Sequence, residues 1–248
     1  MEQLGEIAGE EARYYHRKDP KGHLMLWGPT VDPERDPRWG RTEEGYGEDP
    51  FLIGEMTTAY TQGMAGDHPA YRRVIPTLKH FCANNNEKER NSCSSNVTPR
   101  TLREYYYRAF EASIVRGGTG SMMTAYNELN GVPACMNPDL KTLVKKQWGL
   151  EFIVTDGADF SQNVLAHHSH ATHAEALAAC LKNGCHIALD TDAHSTTQLQ
   201  GNMPPLLAML EEMQFPQELV VNATRQNLVN ELKLHGRICA EYIGGEIL

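Results

Sequence analysis

The segment Phe152-Ile153-Val154-Thr155-Asp156-Gly157 is a short β-rich apolar run that ends on a carboxylate and a glycine. A run of this length and composition predicts a buried β-strand. Similar runs recur between longer stretches of helical periodicity, at residues 23–27, 74–78, 121–126 and 186–189. This alternation predicts repeated βα units around a parallel sheet, and therefore an α/β fold.

Stretches of helical periodicity fill the intervals between these runs. The predicted helices are residues 3–15, 50–64, 99–116, 138–148, 172–183, 204–213 and 216–234. Pro99 and Pro138 favour the first turns of two of them, because proline is well tolerated where a helix begins. Thr172 and Glu175 form a capping-box pattern that predicts the start of a third helix.

The size and charge of the chain limit the classes of protein to which it can belong. Its 248 residues fit one large α/β barrel or two small domains, and one domain is favoured because no repeat or linker is recognisable. The net charge of −9 disfavours nucleic acid or an anionic membrane as a partner. No apolar run approaches the ~20 residues that a membrane crossing requires, and the acidic start does not resemble a secretory signal. We therefore expect a soluble, cytoplasmic protein.

The cysteine and histidine patterns give little support to a metal site. The six cysteines include no C-x-x-C pair and are typical of reduced, partly buried thiols. The cluster His167-His168-Ser169-His170-Ala171-Thr172-His173 has imidazoles at close spacing, as zinc sites do, but no carboxylate or cysteine ligands accompany it at a fixed spacing. A polar loop that leads into the helix at Thr172 explains the cluster better. No metal and no cofactor are expected.

Polar side chains follow four of the five predicted strands. Parallel strands place such residues at one rim of the sheet, where the βα loops begin. In chain order they are Asp32, Arg35, Asp36, Arg38 and Arg41; Lys79 and His80; Tyr126, Asn127 and Glu128; and Asp156. Their convergence predicts a pocket for a hydroxyl-rich ligand.

Five motifs follow one another along these strand ends. They are Gly28-Pro-Thr-Val-Asp-Pro-Glu-Arg-Asp-Pro-Arg-Trp-Gly-Arg41 with Glu44-Gly-Tyr-Gly-Glu-Asp-Pro50; Lys79-His80-Phe81 with Asn84, Asn85 and Arg90; Arg100-Thr-Leu-Arg-Glu104; Met123-Thr-Ala-Tyr-Asn-Glu-Leu-Asn-Gly-Val-Pro133; and Trp148-Gly149 before Val154-Thr-Asp156. In order and approximate spacing they resemble glycoside hydrolase family 3 over about residues 11–190.

This resemblance implies both a fold and an activity. The implied fold is a partial (β/α)8 barrel of the TIM type, a single domain over residues 1–248 that is incomplete at the front and lacks the sandwich domain of two-domain members. The implied activity is retaining hydrolysis of β-linked glucosides or xylosides. The expected partner is an oligosaccharide or an aryl or alkyl β-glycoside.

Asp156 is the expected nucleophile. A glycosidic bond breaks through a state that resembles an oxocarbenium ion, so a carboxylate beneath the anomeric carbon stabilises positive charge and can form a covalent intermediate. An aspartate after a strand is, by itself, more often a turn or helix-capping residue. The resemblance is what assigns Asp156 to catalysis.

The resemblance also implies a set of sugar-binding residues, namely Arg41, Lys79, His80, Arg90 and Tyr126. Charged donors hold ring hydroxyls strongly in a partly desolvated pocket. For the cations the alternative is an ordinary surface or ion-paired role, and nearby Arg35 and Arg38 compete with Arg41 for its assignment. For Tyr126, expected beside the nucleophile, the alternative is a buried tyrosine that satisfies a backbone group.

Two departures from the family pattern affect the expected reaction. Gly157 stands where many members have tryptophan, and Phe160 is the candidate to replace that aromatic platform. The general acid is not identified, because neither Glu87 nor Glu89 is marked by a motif. A second chain or domain is therefore expected to supply the acid, and the alternative function is a carbohydrate-binding pseudoenzyme.

Overall fold

The computed structural model describes residues 1–18, 24–157, 159–182, 203–212, 214–217 and 220. Two compact units make up the chain, Met1–Ser169 and His170–Leu248. The assignment of residues 1–248 to a single domain stays a prediction. Among the described residues, no helix is both long enough and apolar enough to cross a membrane.

A four-stranded parallel sheet forms the centre of the first unit. Its strands, in spatial order, are β1 (Met25–Leu26), β2 (Ile75–Phe81), β4 (Ser121–Thr124) and β7 (Phe152–Thr155). Leu78 pairs with Met122 and Met123 pairs with Val154, so the strands run in the same direction with their carboxyl ends together. Spatial order follows chain order, as in consecutive βα units of a barrel. The predicted α/β arrangement is confirmed.

Helices connect these strands. They are α1 (Glu2–Lys18), α2 (Pro50–Ala65), and the continuous stretch α3 (Pro99–Thr101), a π-helical turn (Leu102–Tyr106) and α4 (Tyr107–Arg116). Asp49 caps α2, since its side chain accepts a hydrogen bond from Phe51 N at 2.9 Å. α1 packs closely on α2 because Gly5 and Gly63 have no Cβ; a Cβ at either would collide with backbone of the other helix.

Several elements differ from the predicted ones. β2 extends through Phe81, so Lys79 and His80 lie within the strand instead of after it. Residues 138–148 contain only a π-helical segment, Leu140–Lys145. Helix α5 (Asp159–Leu165) and a small sheet of β3 (Ser94–Ser95), β5 (Glu128–Leu129) and β6 (Val132–Pro133) were not predicted. Two-residue strands carry no periodic signal, and α5 has only seven residues. The predicted strand 186–189 and most of helix 216–234 lie outside the described residues.

The described part of the second unit contains helices α6 (His173–Lys182) and α7 (Met203–Glu212). The predicted capping box of α6 is present: Thr172 Oγ1 accepts a hydrogen bond from Glu175 N at 3.1 Å. Glu175 in turn accepts from the amide of Ala171 at 2.8 Å, one residue earlier than the standard box. Both contacts satisfy amides at the helix start.

Aromatic side chains between β2 and the α3–α4 stretch form the main core of the first unit. Phe81 stacks on Tyr107 with ring centroids 5.1 Å apart and meets Phe110 edge-on at 5.2 Å. All three rings are buried, with Leu78 and Met122 beside them. This packing fixes β2, which carries Lys79 and His80, against its helix.

We expect Phe110→Ala to lower the free energy of unfolding by about 3–5 kcal/mol, because it leaves a cavity in this core. Val115→Ala is the matched control on the same helix, since Val115 is exposed, and should change stability by less than about 0.5 kcal/mol. Urea denaturation followed by circular dichroism measures both values. A Phe110→Ala loss no larger than that of the control would contradict this account of the core.

Candidate active site

The predicted rim residues come together at the carboxyl ends of β2, β4 and β7. The segment after β1 lies alongside, because Val31 N donates to Lys79 O at 2.6 Å and Thr30 forms a bridge with Lys79. A parallel sheet places these ends at one edge. The site is therefore built from four separate parts of the chain.

Asp156 follows directly on β7, and its side chain is 19% exposed. Its Oδ1 accepts a hydrogen bond from Gly157 N at 2.8 Å, while Oδ2 lies 3.7 Å from His80 Nε2. α5 begins three residues later, and Asp159 N donates to Asp156 O at 3.0 Å, so the backbone at Asp156 forms a turn that leads into the helix. The Asp156 side chain has a separate orientation, with its Oδ2 facing His80.

His80 lies between two carboxylates. Its side chain is 3% exposed and that of Asp32 is 0% exposed. Asp32 Oδ2 accepts two hydrogen bonds from His80, from the backbone N at 3.0 Å and from Nδ1 at 2.9 Å. The opposite ring nitrogen, Nε2, lies 3.5 Å from Arg41 Nη1 as well as close to Asp156. Asp32 was predicted at the rim but without a role, and the structure gives it one, the orientation of His80.

Arg41 and Lys79 share one carboxylate, that of Glu44. Arg41 donates from Nε and Nη2 to the two oxygens of Glu44 at 2.6 and 2.7 Å, and Lys79 Nζ lies 4.0 Å from Oε2. Thr30 also donates to Glu44 at 3.1 Å. These contacts, the Arg41 hydrogen bonds above all, lower the pKa of Glu44 to about 2. Glu44 stands in the first of the five motifs, but no role was predicted for it, although the i, i+3 spacing of Arg41 and Glu44 was a usable signal.

Tyr126 lies on the other side of Asp156. Its hydroxyl donates to Gly157 O at 2.6 Å, and the Arg90 guanidinium lies 5.0 Å from its ring centroid. The hydroxyl therefore bonds a backbone group next to Asp156. Arg90 also contacts Glu87 at 3.4 Å, whose other oxygen accepts from Trp39 Nε1 at 3.0 Å.

A second carboxyl group, Asp159, is buried beneath this rim. Thr124 Oγ1 donates to its Oδ2 at 3.3 Å. Burial raises the pKa of Asp159 to about 7; hydrogen bonds from Cys135 and Thr124 oppose that rise, and the charge of Asp156 adds to it. No sequence signal marked this residue, because it lies between the predicted strand before Asp156 and the next predicted helix, residues 172–183.

Among the described residues, no group of three or more histidine, cysteine or acidic side chains could hold a metal ion. Two members of the histidine cluster bond main-chain oxygens instead: His167 bonds Tyr126 O at 2.7 Å and His168 bonds Val164 O at 3.0 Å. Cys82, Cys93 and Cys135 are free thiols, and burial raises the pKa of each. The side chains of the other three cysteines, and that of Phe160, lie outside what the structure describes.

We expect Asp159 to make stability pH-dependent. Because its folded pKa of about 7 lies above its unfolded value, its favourable contribution is complete below about pH 4 and is lost as the pH rises to about 7, at up to 1.4 kcal/mol per pH unit. Asp159→Asn removes this slope. The free energy of unfolding of the native protein minus that of the variant should therefore fall between about pH 4.5 and pH 7.

Asp67→Asn, at an exposed aspartate of the same unit, is the control and should show no such trend. Urea titrations at several pH values give both differences. A difference between native protein and Asp159→Asn that stays flat over this range would refute the assignment of a neutral, buried Asp159.

Comparison with known proteins gives the family. Residues 2–228 match the Glycosyl hydrolase family 3 N terminal domain. The exo-1,4-β-xylosidase of Emericella nidulans is 34% identical over 193 residues, which is 74% of this chain and 25% of the xylosidase. A family 3 exo-β-xylosidase, solved with a xylobiose aziridine probe, covers 98% of this chain at a TM-score of 0.75 and 22% identity, with 31% of its own length matched.

A β-glucosidase from Erythrobacter marinus covers 96% of the chain with a TM-score of 0.72 and 26% identity, over 30% of its own length. These likenesses confirm the predicted partial (β/α)8 barrel. The chain spans between a quarter and a third of the relatives that it matches. On the match over residues 2–228, this chain belongs to glycosyl hydrolase family 3 and corresponds to part of its N-terminal domain.

Proposed function

We propose that the chain is the barrel part of a retaining β-glycoside hydrolase that acts on β-linked glucosides or xylosides, with Asp156 as the nucleophile. The names of its relatives, a β-xylosidase and a β-glucosidase, support this substrate class. The observation that carries the proposal is the position of Asp156: a partly exposed carboxylate at a strand end, 3.7 Å from His80 Nε2.

The proposed reaction has two steps. An oxygen of Asp156 attacks the anomeric carbon as the bond from that carbon to the leaving oxygen breaks, and the leaving oxygen takes a proton from an acid. Water then attacks the same carbon, loses a proton to the conjugate base, and releases Asp156. Each step inverts the anomeric centre, so the configuration is retained. The hydrogen bond from Gly157 N helps to hold the carboxylate in a fixed orientation.

Arg41, Lys79 and His80 form the proposed sugar-binding side of the site. Arg41 and Lys79 are each about one-fifth exposed, and Glu44 holds both in place from the same side. Donors that are already positioned lose little conformational entropy when they bind a ring hydroxyl. His80 contributes mainly through Nε2, because Asp32 occupies its other nitrogen. The sugar-binding role of Arg90 remains a proposal that its contact with the Tyr126 ring supports.

The general acid is proposed to come from a second domain or chain. Glu87 is a poor candidate, since its two oxygens accept from Trp39 and from Arg90. Asp159 keeps its proton up to about pH 7, but its side chain is buried and cannot reach a leaving oxygen. We therefore expect natural glycosides, whose leaving groups require protonation, to be cleaved slowly by this chain alone.

We expect an activated glycoside to label Asp156. A dinitrophenyl deoxyfluoro-β-glucoside or β-xyloside has a leaving group that needs no acid, and its fluorine slows release of the covalent intermediate. Mass spectrometry of the digested protein should find the sugar on the peptide that contains Asp156, and Asp156→Asn should abolish labelling. The corresponding glycoside without fluorine should turn over faster when azide is added, with a β-glycosyl azide as product.

The outcome decides between this proposal and its main rival. Labelling on another residue, or a glycosyl azide of inverted configuration, would refute the role of Asp156. A native protein that binds glucose or xylose in calorimetry but acquires no label would instead be a carbohydrate-binding pseudoenzyme.

Glu44→Gln tests the binding side of the site. It removes the charge that Arg41 and Lys79 share, so both cations lose their fixed positions, and we expect the concentration of fluorosugar for half-maximal labelling to rise about tenfold. Glu43→Gln, at the exposed neighbouring glutamate, is the matched control and should leave it unchanged. Equal affinities for the native protein and Glu44→Gln would exclude this role of Glu44.

A further inference from the structure

His167 occupies an unusual place for a member of a histidine-rich loop. It lies eleven residues after Asp156, just beyond the end of α5, and its side chain is 0% exposed. Its backbone N donates to Gln162 O at 2.8 Å, which ties the loop to the helix. His168, the next residue, is exposed. The fold thus buries the imidazole of His167, next to Tyr126.

The buried imidazole holds the main chain of Tyr126. Nε2 of His167 lies 2.7 Å from Tyr126 O, and because a carbonyl can only accept, Nε2 carries the proton and donates it. Nδ1 points to the other side, where Glu128 Oε1 lies 3.6 Å away. Within the part of the chain that the structure describes, Nδ1 has no hydrogen-bond partner. The bond to Tyr126 is therefore the directional contact that this ring makes.

Tyr126 links His167 to the backbone beside Asp156. Its hydroxyl donates to Gly157 O at 2.6 Å, and Gly157 N donates to Asp156 Oδ1 at 2.8 Å. One residue is thus held at its carbonyl by His167 and, through its hydroxyl, holds the carbonyl of Gly157. The N–H of Gly157, which belongs to the preceding peptide unit, bonds the carboxylate, so a shift of Tyr126 reaches Asp156 through the backbone of Gly157.

We infer that His167 is a positioning residue for Asp156, acting through Tyr126 and the backbone of Gly157. The kinetic part of this inference rests on the proposed function, while the positioning itself does not. The inference differs from a general packing role because it depends on one donor atom. A side chain of similar size with a donor at that place should substitute for the imidazole, and one without a donor should not.

His167→Gln and His167→Leu form the matched pair for this test. The Gln amide nitrogen reaches about as far from the backbone as Nε2 and can donate to Tyr126 O; Leu fills the space but cannot. With the fluorosugar glycosides, we expect His167→Leu to lower the maximal rate of Asp156 labelling about tenfold, which is the equivalent of one hydrogen bond. The glycoside concentration for half-maximal labelling should stay within about twofold of the native value. His167→Gln should label at a rate within about threefold of the native rate, and the labelling rate of His168→Leu should equal that of the native protein.

Amide exchange of Gly157, followed by NMR, gives a readout that needs no activity. We expect it to be about tenfold faster in His167→Leu than in the native protein, and close to native in His167→Gln. Native Gly157 exchange in His167→Leu, or a Gln variant that behaves like Leu in both measurements, would overturn the inference. If the native protein takes no label, the proposed function fails, but Gly157 exchange still decides whether His167 positions this peptide.

Discussion

The hydrogen bonds from His80 to Asp32 are the constraint on which the rest of the site depends. Asp32 is fully buried, and a buried carboxylate is very unfavourable unless donors hold it. The amide and the ring of His80 supply those donors, so the segment after β1 is fixed to the end of β2. The same contact directs the remaining ring nitrogen toward β7, where Asp156 begins the next loop. The imidazole of His80, on β2, thus contacts carboxylates that follow β1 and β7.

The sequence predicts the larger elements well because their ends carry strong local signals. Helix α2 begins at Pro50 after its Asp49 cap and ends before Gly66, within one residue of the predicted bounds. The strands β3, β5 and β6 have two residues each, too few for any periodicity; β3 pairs with β5, which is distant in the chain, and β5 pairs with β6 in a tight hairpin. The extension of β2 through Phe81 escaped prediction because polar residues at the end of a strand resemble a loop.

Site residues that belong to a recognisable motif could be predicted from the sequence. Residues whose role comes from a contact with another residue could not. Asp156, Lys79 and His80 follow from the order of motifs, and the structure brings them to one edge of the sheet. Glu44 and His167 have roles that arise from contacts with Arg41 and Tyr126, and the second pair is separated by 41 positions in the chain. The first pair is local and its spacing is visible in the sequence, whereas the second follows from the fold and leaves no local trace.

Gly157 takes part in the site entirely through its backbone. Its N–H bonds Asp156 and its carbonyl bonds Tyr126, so neither contact depends on which side chain occupies the position. A side chain added at this position, in evolution or in engineering, would therefore leave both backbone contacts in place and change only the surface beside the Asp156 carboxylate.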